Sequence, residues 1–194
     1  MWLIAGLGNP GPPYEKTRHN LGFMALEAFS RRLKFPIVDL DKQLSLGRGR
    51  RRGDEILLAK PLAYVNRSGE VLAPLVNREG VEISRILVLV DDLDLPLGTL
   101  RYRPWGGTAG HRGMESILRC LDSDRFGRIR LGIGRPGEDV GESDFVLSPF
   151  TERELPLVER VLGAAVNLAE EVIFDGRTSP VTVKLTKDQD KEEL

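Results

Sequence analysis

Thiols and imidazoles are scarce in this sequence: Cys120 stands alone, and His19 and His111 are the two histidines among 194 residues. A single thiol excludes a disulfide framework and a cysteine metal cluster, and it fits a reducing cytoplasm. With two imidazoles and one thiol, no metal site and no metal cofactor is expected. No apolar run approaches the length of a membrane span, and the apolar stretch from Trp2 to Leu7 is too short for the core of a secretory signal. Net charge is nearly absent as well, at −1, which excludes a protein coated in positive charge. What remains is 41% hydrophobic and 29% charged residues, an ordinary globular composition, at a length that predicts one domain.

The near-zero charge hides an uneven distribution. No acidic residue falls between Asp94 and Glu115, a window that holds Arg101, Arg103 and Arg112. Another carboxylate-free stretch carries Arg125, Arg128, Arg130 and Arg135, and a third group is Arg48, Arg50, Arg51 and Arg52. Only seven of the 28 basic residues are lysine, and arginine forks onto phosphate better than lysine does. Any one group reads equally well as solvated surface. All three together, each near a candidate functional loop, point to a polyanionic partner.

The apolar periodicity predicts a strand over 2–7 and then a helix that begins near 17–20, with Leu21, Met24, Ala25, Ala28 and Phe29 on one face. Strands follow over 44–52 and 55–60 about a Gly53-Asp54 turn, and a helix over 66–76 that Pro74 should kink or break. A buried strand over 86–90, a strand over 98–103, a glycine loop opening a helix to about 121, a strand over 128–134 and a helix over 152–174 complete the order. The expected fold is a single α/β domain over 1–186, a mixed, mostly parallel twisted sheet flanked by helices, with a charged tail over 187–194.

Two of these strands deliver reactive groups. His19 follows the first and Asp91-Asp92-Leu93-Asp94 ends the central one, so a parallel arrangement brings an imidazole and a carboxylate to one edge. That is a general base and its orienter, with Asp92 and Asp94 as alternative orienters. Gly6-x-Gly8-x-x-Gly11 formally matches a dinucleotide fingerprint, which makes an oxidoreductase the contrasting reading. Pro10, Pro12 and Pro13 remove backbone donors where a pyrophosphate needs them, and no strand ending in an acidic residue follows at the right distance. Asn9 and Asn66 offer uncharged amides for a peptide backbone or an oxyanion, and serve equally as a turn residue before proline and a helix cap. Tyr14 and Tyr64 are planes able to stack on a terminal base or border a peptide groove; for Tyr64, core packing is as good a reading.

Read together, Gly6-Leu-Gly-Asn-Pro-Gly11, Tyr14-x-x-Thr-Arg-His-Asn20, Lys60-Pro-x-x-Tyr-x-Asn-x-Ser-Gly69, Asp91-x-Leu-Asp-Leu-Pro96, Gly106-Gly-x-x-Gly-His111 and Arg128-x-Arg-x-Gly-Ile-Gly-Arg-Pro136 resemble bacterial peptidyl-tRNA hydrolase. The motifs occur in that family's order and spacing over nearly the whole chain. The resemblance implies a metal-free, cofactor-free esterase that frees tRNA from abandoned peptides and spares aminoacyl-tRNA with a free amino group. Its partner would be peptidyl-tRNA, its location the cytoplasm, and its expected state a monomer. It also implies roles: His19 as base, Asp91 as its partner, Asn9 in telling blocked from free amino groups, and Arg103 with Arg130 as a clamp on the tRNA 5′-phosphate. Tyr14, Tyr64, Asn66 and Arg112 complete the expected substrate-binding set. Arg112 departs from the pattern, for the family usually carries asparagine there. RNA-binding relatives such as organellar intron-splicing factors are the alternative from another class, and the intact His19 and Asp91 favour the enzyme.

Overall fold

The computed structural model describes residues 1–185, so the charged tail expected over 187–194 lies outside the described residues. At its centre strand β1 (Trp2–Gly6) runs parallel to both β4 (Asp54–Pro61) and β5 (Ile86–Asp92), and β5 runs parallel to β7 (Gly127–Gly132). Antiparallel strands extend both edges: β2 (Val38–Asp39) and β3 (Leu44–Arg51) beyond β4, then β6 (Thr99–Arg103) and β8 (Val181–Lys184) beyond β7. The eight strands lie in the order β2-β3-β4-β1-β5-β7-β6-β8.

The α/β class and the mixed sheet are as expected, but the balance of directions is not: three pairings are parallel and four antiparallel. Parallel neighbours need a crossover, whereas β3 and β4 are joined directly through Arg52 and Gly53, whose φ values of 49° and 88° make a tight hairpin. A periodicity reading finds the strands without their directions. Three short elements escape it for lack of length: β2, β8 and the one-turn helix α4 (Glu142–Val146).

Alternation along the strands sorts the core. Ile4, Leu87 and Leu89 face α1 (Leu21–Leu33) and α5 (Leu155–Phe174); Leu3, Ala5, Val88 and Val90 face α2 (Ser68–Glu79) and α3 (Arg112–Leu121). Helix α2 runs through Pro74 without ending. The carbonyl that Pro74 cannot bond belongs to Glu70, an exposed residue, and burial of Leu72, Leu75 and Val76 holds the helix down. At the start of α1 the chain sits directly on the sheet: a Cβ at Gly22 would run into the carbonyls of Leu89 and Leu7. That approach fixes the residues just before α1 against the ends of β1 and β5.

Candidate active site

Those residues include His19, in a 3-10 turn (Arg18–Asn20), and they are tied down on both sides. Arg18 is buried, forks onto Glu154 at 2.7 and 3.0 Å, and lies over the rings of Phe145 and Phe150. Burial alone would raise the Glu154 pKa, but its bonds from Arg18 and Thr151 lower it to about 2. On the other side the Asn20 amide bridges the loop after β1, accepting from the Asn9 backbone N–H at 2.8 Å and donating to the Asn9 carbonyl at 3.0 Å.

Between these anchors His19 presents Nδ1 to Asp91, 2.9 Å from Oδ2. Asp91 is 3% exposed and meets a second imidazole, His111 Nε2, at 3.0 Å from Oδ1. His111 caps α3 with its other nitrogen, Nδ1 accepting the backbone N–H groups of Gly113 and Met114. That fixes its tautomer: Nδ1 has no proton, so Nε2 carries one and donates it to Asp91. His19, Asp91 and His111 place three ligating groups within 4.8 Å. With a proton on each of the two imidazole nitrogens that face Asp91, the three groups form one hydrogen-bonded set.

Electrostatics follow from this arrangement. Burial would raise the Asp91 pKa; the two imidazoles, by charge when protonated and by hydrogen bonding, reverse that and hold the carboxyl well below its usual range. For His19, burial disfavours the imidazolium and the nearby Arg112 charge adds to that, but the charge and bond of Asp91 outweigh both and raise the pKa above 6.5. The remaining His19 nitrogen, Nε2, is left with its lone pair for chemistry.

His19 and Asp91 line a cavity of about 380 Å³ together with Asn9, Asn66, Arg112 and Arg130. The Asn9 Oδ1 accepts the Val65 N–H at 2.9 Å, so the amide is oriented with Nδ2 as its remaining donor. Asn66 does not cap α2, whose N-cap is Arg67, and its amide has no bond to the described residues. Tyr64 stands 61% exposed on the cavity rim, so core packing does not account for it. Tyr14 lies outside the cavity; its backbone carbonyl holds the Thr17 hydroxyl at 2.8 Å. Of the alternative orienters, Asp92 receives Arg130 at 3.3 Å and Asp94 pairs with Arg135, which leaves Asp91 to His19.

Cross-strand register gathers the arginines. Arg103 opposes Arg128 and Arg101 opposes Arg130, so all four emerge on the sheet face that carries α2 and α3. Arg130 lines the cavity, whereas Arg103 does not. Arg128 is wholly buried, with its pKa lowered to about 10 by burial and by Arg130, and it holds the carbonyls of Gly106, Gly107 and Asp124. The group on β3 and its turn behaves differently: Arg48 pairs with Glu55 and Glu79, and Arg52 with Asp175.

Sequence reading missed four contributors. His111 had a signal, as the other histidine of the chain in a glycine motif; Asn20 and Arg128 lay inside quoted motifs, but only contacts distant in sequence reveal their partners. The fourth, α4, lines the cavity through Glu142, Ser143 and Val146 and is too short for periodicity.

The family profile described as peptidyl-tRNA hydrolase matches residues 3–193. A peptidyl-tRNA hydrolase of Tropheryma whipplei is 47% identical over 175 residues, covering 90% of this chain and 87% of that protein. One from Syntrophomonas wolfei is 44% identical, over 88% of this chain and 92% of that protein. The crystal structure of the Acinetobacter baumannii peptidyl-tRNA hydrolase superposes with a TM-score of 0.84 at 32% identity, covering 91% of this chain and 90% of that one.

Proposed function

Since this chain belongs to the peptidyl-tRNA hydrolase family, we propose that it hydrolyses the ester between a peptide, or an N-blocked amino acid, and the 3′ ribose of tRNA, with His19 as general base. The observation that carries the mechanism is the bond from His19 Nδ1 to Asp91 at 2.9 Å in the wall of an open cavity. With Nδ1 donating to the carboxylate, Nε2 takes a proton from water, and Asp91 stabilises the imidazolium that forms. The water oxygen then attacks the ester carbonyl. As the tetrahedral intermediate collapses, His19 Nε2 returns its proton to the departing ribose oxygen. Peptide acid and tRNA with a free 3′ hydroxyl leave.

Asn9 Nδ2, oriented by the Val65 N–H, supplies a donor to the developing oxyanion or to a blocked amino group. Asn66 and Tyr64 border the peptide. Arg103 and Arg130 take a tRNA phosphate, and Arg112, exposed on the same carboxylate-free stretch, takes another. Arg130 already shares Asp92 and the Gly107 carbonyl, so it binds phosphate from a fixed position.

The test is cleavage of diacetyl-lysyl-tRNA by the wild type and by His19→Ala. The expected result is turnover that falls by orders of magnitude in the variant while tRNA binding survives, because a proton acceptor and not a phosphate contact is removed. Binding without turnover in the wild type would make the chain an RNA-binding relative; full activity in the variant would remove His19 from its role.

A further inference from the structure

The arginine-rich sheet face ends in an aromatic residue that the catalytic cavity does not use. Strand β6 finishes at Arg103, and after Pro104 the chain presents Trp105, 61% exposed. Its indole has no hydrogen bond, ring contact or cation partner among the described residues. We propose that Trp105 stacks on the nucleobase face exposed at the end of the tRNA acceptor duplex, next to the phosphate held by Arg103 and Arg130. The proposal rests on peptidyl-tRNA being the substrate.

Three observations support it. Charge complementarity comes first: the stretch from Leu95 to Met114 has no carboxylate, and Arg103 and Arg130 lie on one sheet face next to Trp105, with the buried Arg128 spent on the loop carbonyls. Two residues separate the Cα atoms of Arg103 and Trp105 by at most about 7 Å, the scale of one nucleotide step.

Secondly, the indole is carried on a fixed support. The backbone beyond it is held by the Gly106 N–H to the Asp124 carbonyl at 3.4 Å. Arg128 binds the Gly106 carbonyl, and the Gly107 carbonyl takes Arg128 at 3.2 Å and Arg130 at 2.7 Å. Pro104 restricts the chain just before it. A backbone held in place leaves only the indole's two side-chain torsions to be ordered on stacking, which lowers the cost of an aromatic contact.

Topology supplies the third. The same loop runs on to His111 and Arg112 in the cavity wall. For an ester at the single-stranded 3′ end to reach His19, that strand must leave the duplex axis. Its departure uncovers the π-face of the last base pair, and a base face accepts an indole whatever its sequence.

The experiment compares Trp105→Ala and Trp105→Phe with Arg103→Ala on two substrates, diacetyl-lysyl-tRNA and a short mimic that carries only the N-blocked aminoacyl adenosine. Trp105→Ala should raise KM for tRNA about 5- to 150-fold, leave kcat within about twofold, and leave the mimic unchanged. Trp105→Phe should recover most of the loss. Stacking releases no counterions, so the salt dependence of KM should keep its slope in Trp105→Ala and flatten in Arg103→Ala. In a Trp2→Phe, His19→Ala background, an acceptor-stem minihelix should quench the remaining tryptophan.

An unchanged KM in Trp105→Ala beside a raised KM in Arg103→Ala overturns the stacking and keeps the substrate. No effect of either variant on tRNA argues against the tRNA reading itself. Equal losses on tRNA and mimic would put Trp105 at the ester, and a dimer lost in Trp105→Ala with KM unchanged would make the residue a self-association contact; both overturn the proposal.

Discussion

Replacing Asp91 by asparagine tests the relay at its centre, because the two imidazoles compete for what the amide can offer. Asp91 accepts from His111 Nε2 at 3.0 Å and from His19 Nδ1 at 2.9 Å. An asparagine has one acceptor oxygen and one donor NH₂ in the same places. His111 cannot turn into an acceptor at Nε2, since its Nδ1 is committed to the Gly113 and Met114 N–H groups that begin α3. The amide oxygen therefore stays with His111, at a position also 3.0 Å from His19 Nδ1, and the NH₂ takes the position 2.9 Å from that same nitrogen. With one oxygen shared by two donors and an NH₂ hydrogen aimed at Nδ1, the favoured tautomer carries its proton on Nε2, and the base presents a proton where it should accept one. An inverted tautomer of this kind costs roughly 10⁴-fold in kcat in serine hydrolase triads, about 5.5 kcal/mol of barrier. The carboxylate that raises the His19 pKa is lost too, leaving burial and Arg112, so the residual activity should keep an acid limb at lower pH. Pre-steady-state cleavage of N-blocked aminoacyl-tRNA measures the first effect and its pH profile the second. Adding His111→Ala frees the amide oxygen to turn to His19 and should restore about tenfold or more, at a cost of roughly 1 kcal/mol for the lost cap. A loss in Asp91→Asn of less than about tenfold, or an acid limb that does not move, refutes this account.

Further outcomes follow from the same geometry. Wild-type kcat/KM should fall on the acid side with a midpoint above 6.5, because Asp91 raises the His19 pKa and protonation removes the base as pH drops through that value; a flat profile from about pH 5 to about 8 contradicts it. Arg103→Ala should raise KM for full-length tRNA and reduce its salt slope by roughly one, with the short mimic indifferent; equal losses on both substrates place the arginine at the ester. Arg112→Asn should weaken long tRNA with kcat nearly unchanged and shift the acid limb upward, since Arg112 opposes protonation of His19; a kcat loss at constant KM assigns Arg112 to the ester instead. Glu154→Gln should destabilise the fold by about 1–2 kcal/mol in urea titrations. The Glu154 pKa is depressed to about 2, so this stabilisation is full above the ordinary carboxylate pKa of 4.5 and fades as pH falls toward about 2; an unfolding gap independent of pH over that range rules it out.

The sequence by itself determined what local chemistry can specify. Hydrophobic period located the central strands and the major helices, because alternation and 3.6-residue repeats are written in consecutive residues. Motif order marked His19, Asp91, Asn9 and Asn66, and two strand ends implied that base and carboxylate meet. Contacts between distant positions could not be read this way. Strand direction at one edge depended on a two-residue turn, and the sharing of Asp91 between His19 and His111 depended on residues 72 and 20 positions away. Charge patterning showed where arginines concentrate but not which are neutralised. Only the fold set Arg48 and Arg52 against acidic partners, and brought Arg101, Arg103, Arg128 and Arg130 onto one face by cross-strand register. Pairing energy falls off over a few ångströms, and chain neighbours seldom supply it; the tertiary structure alone decides which groups come within that reach.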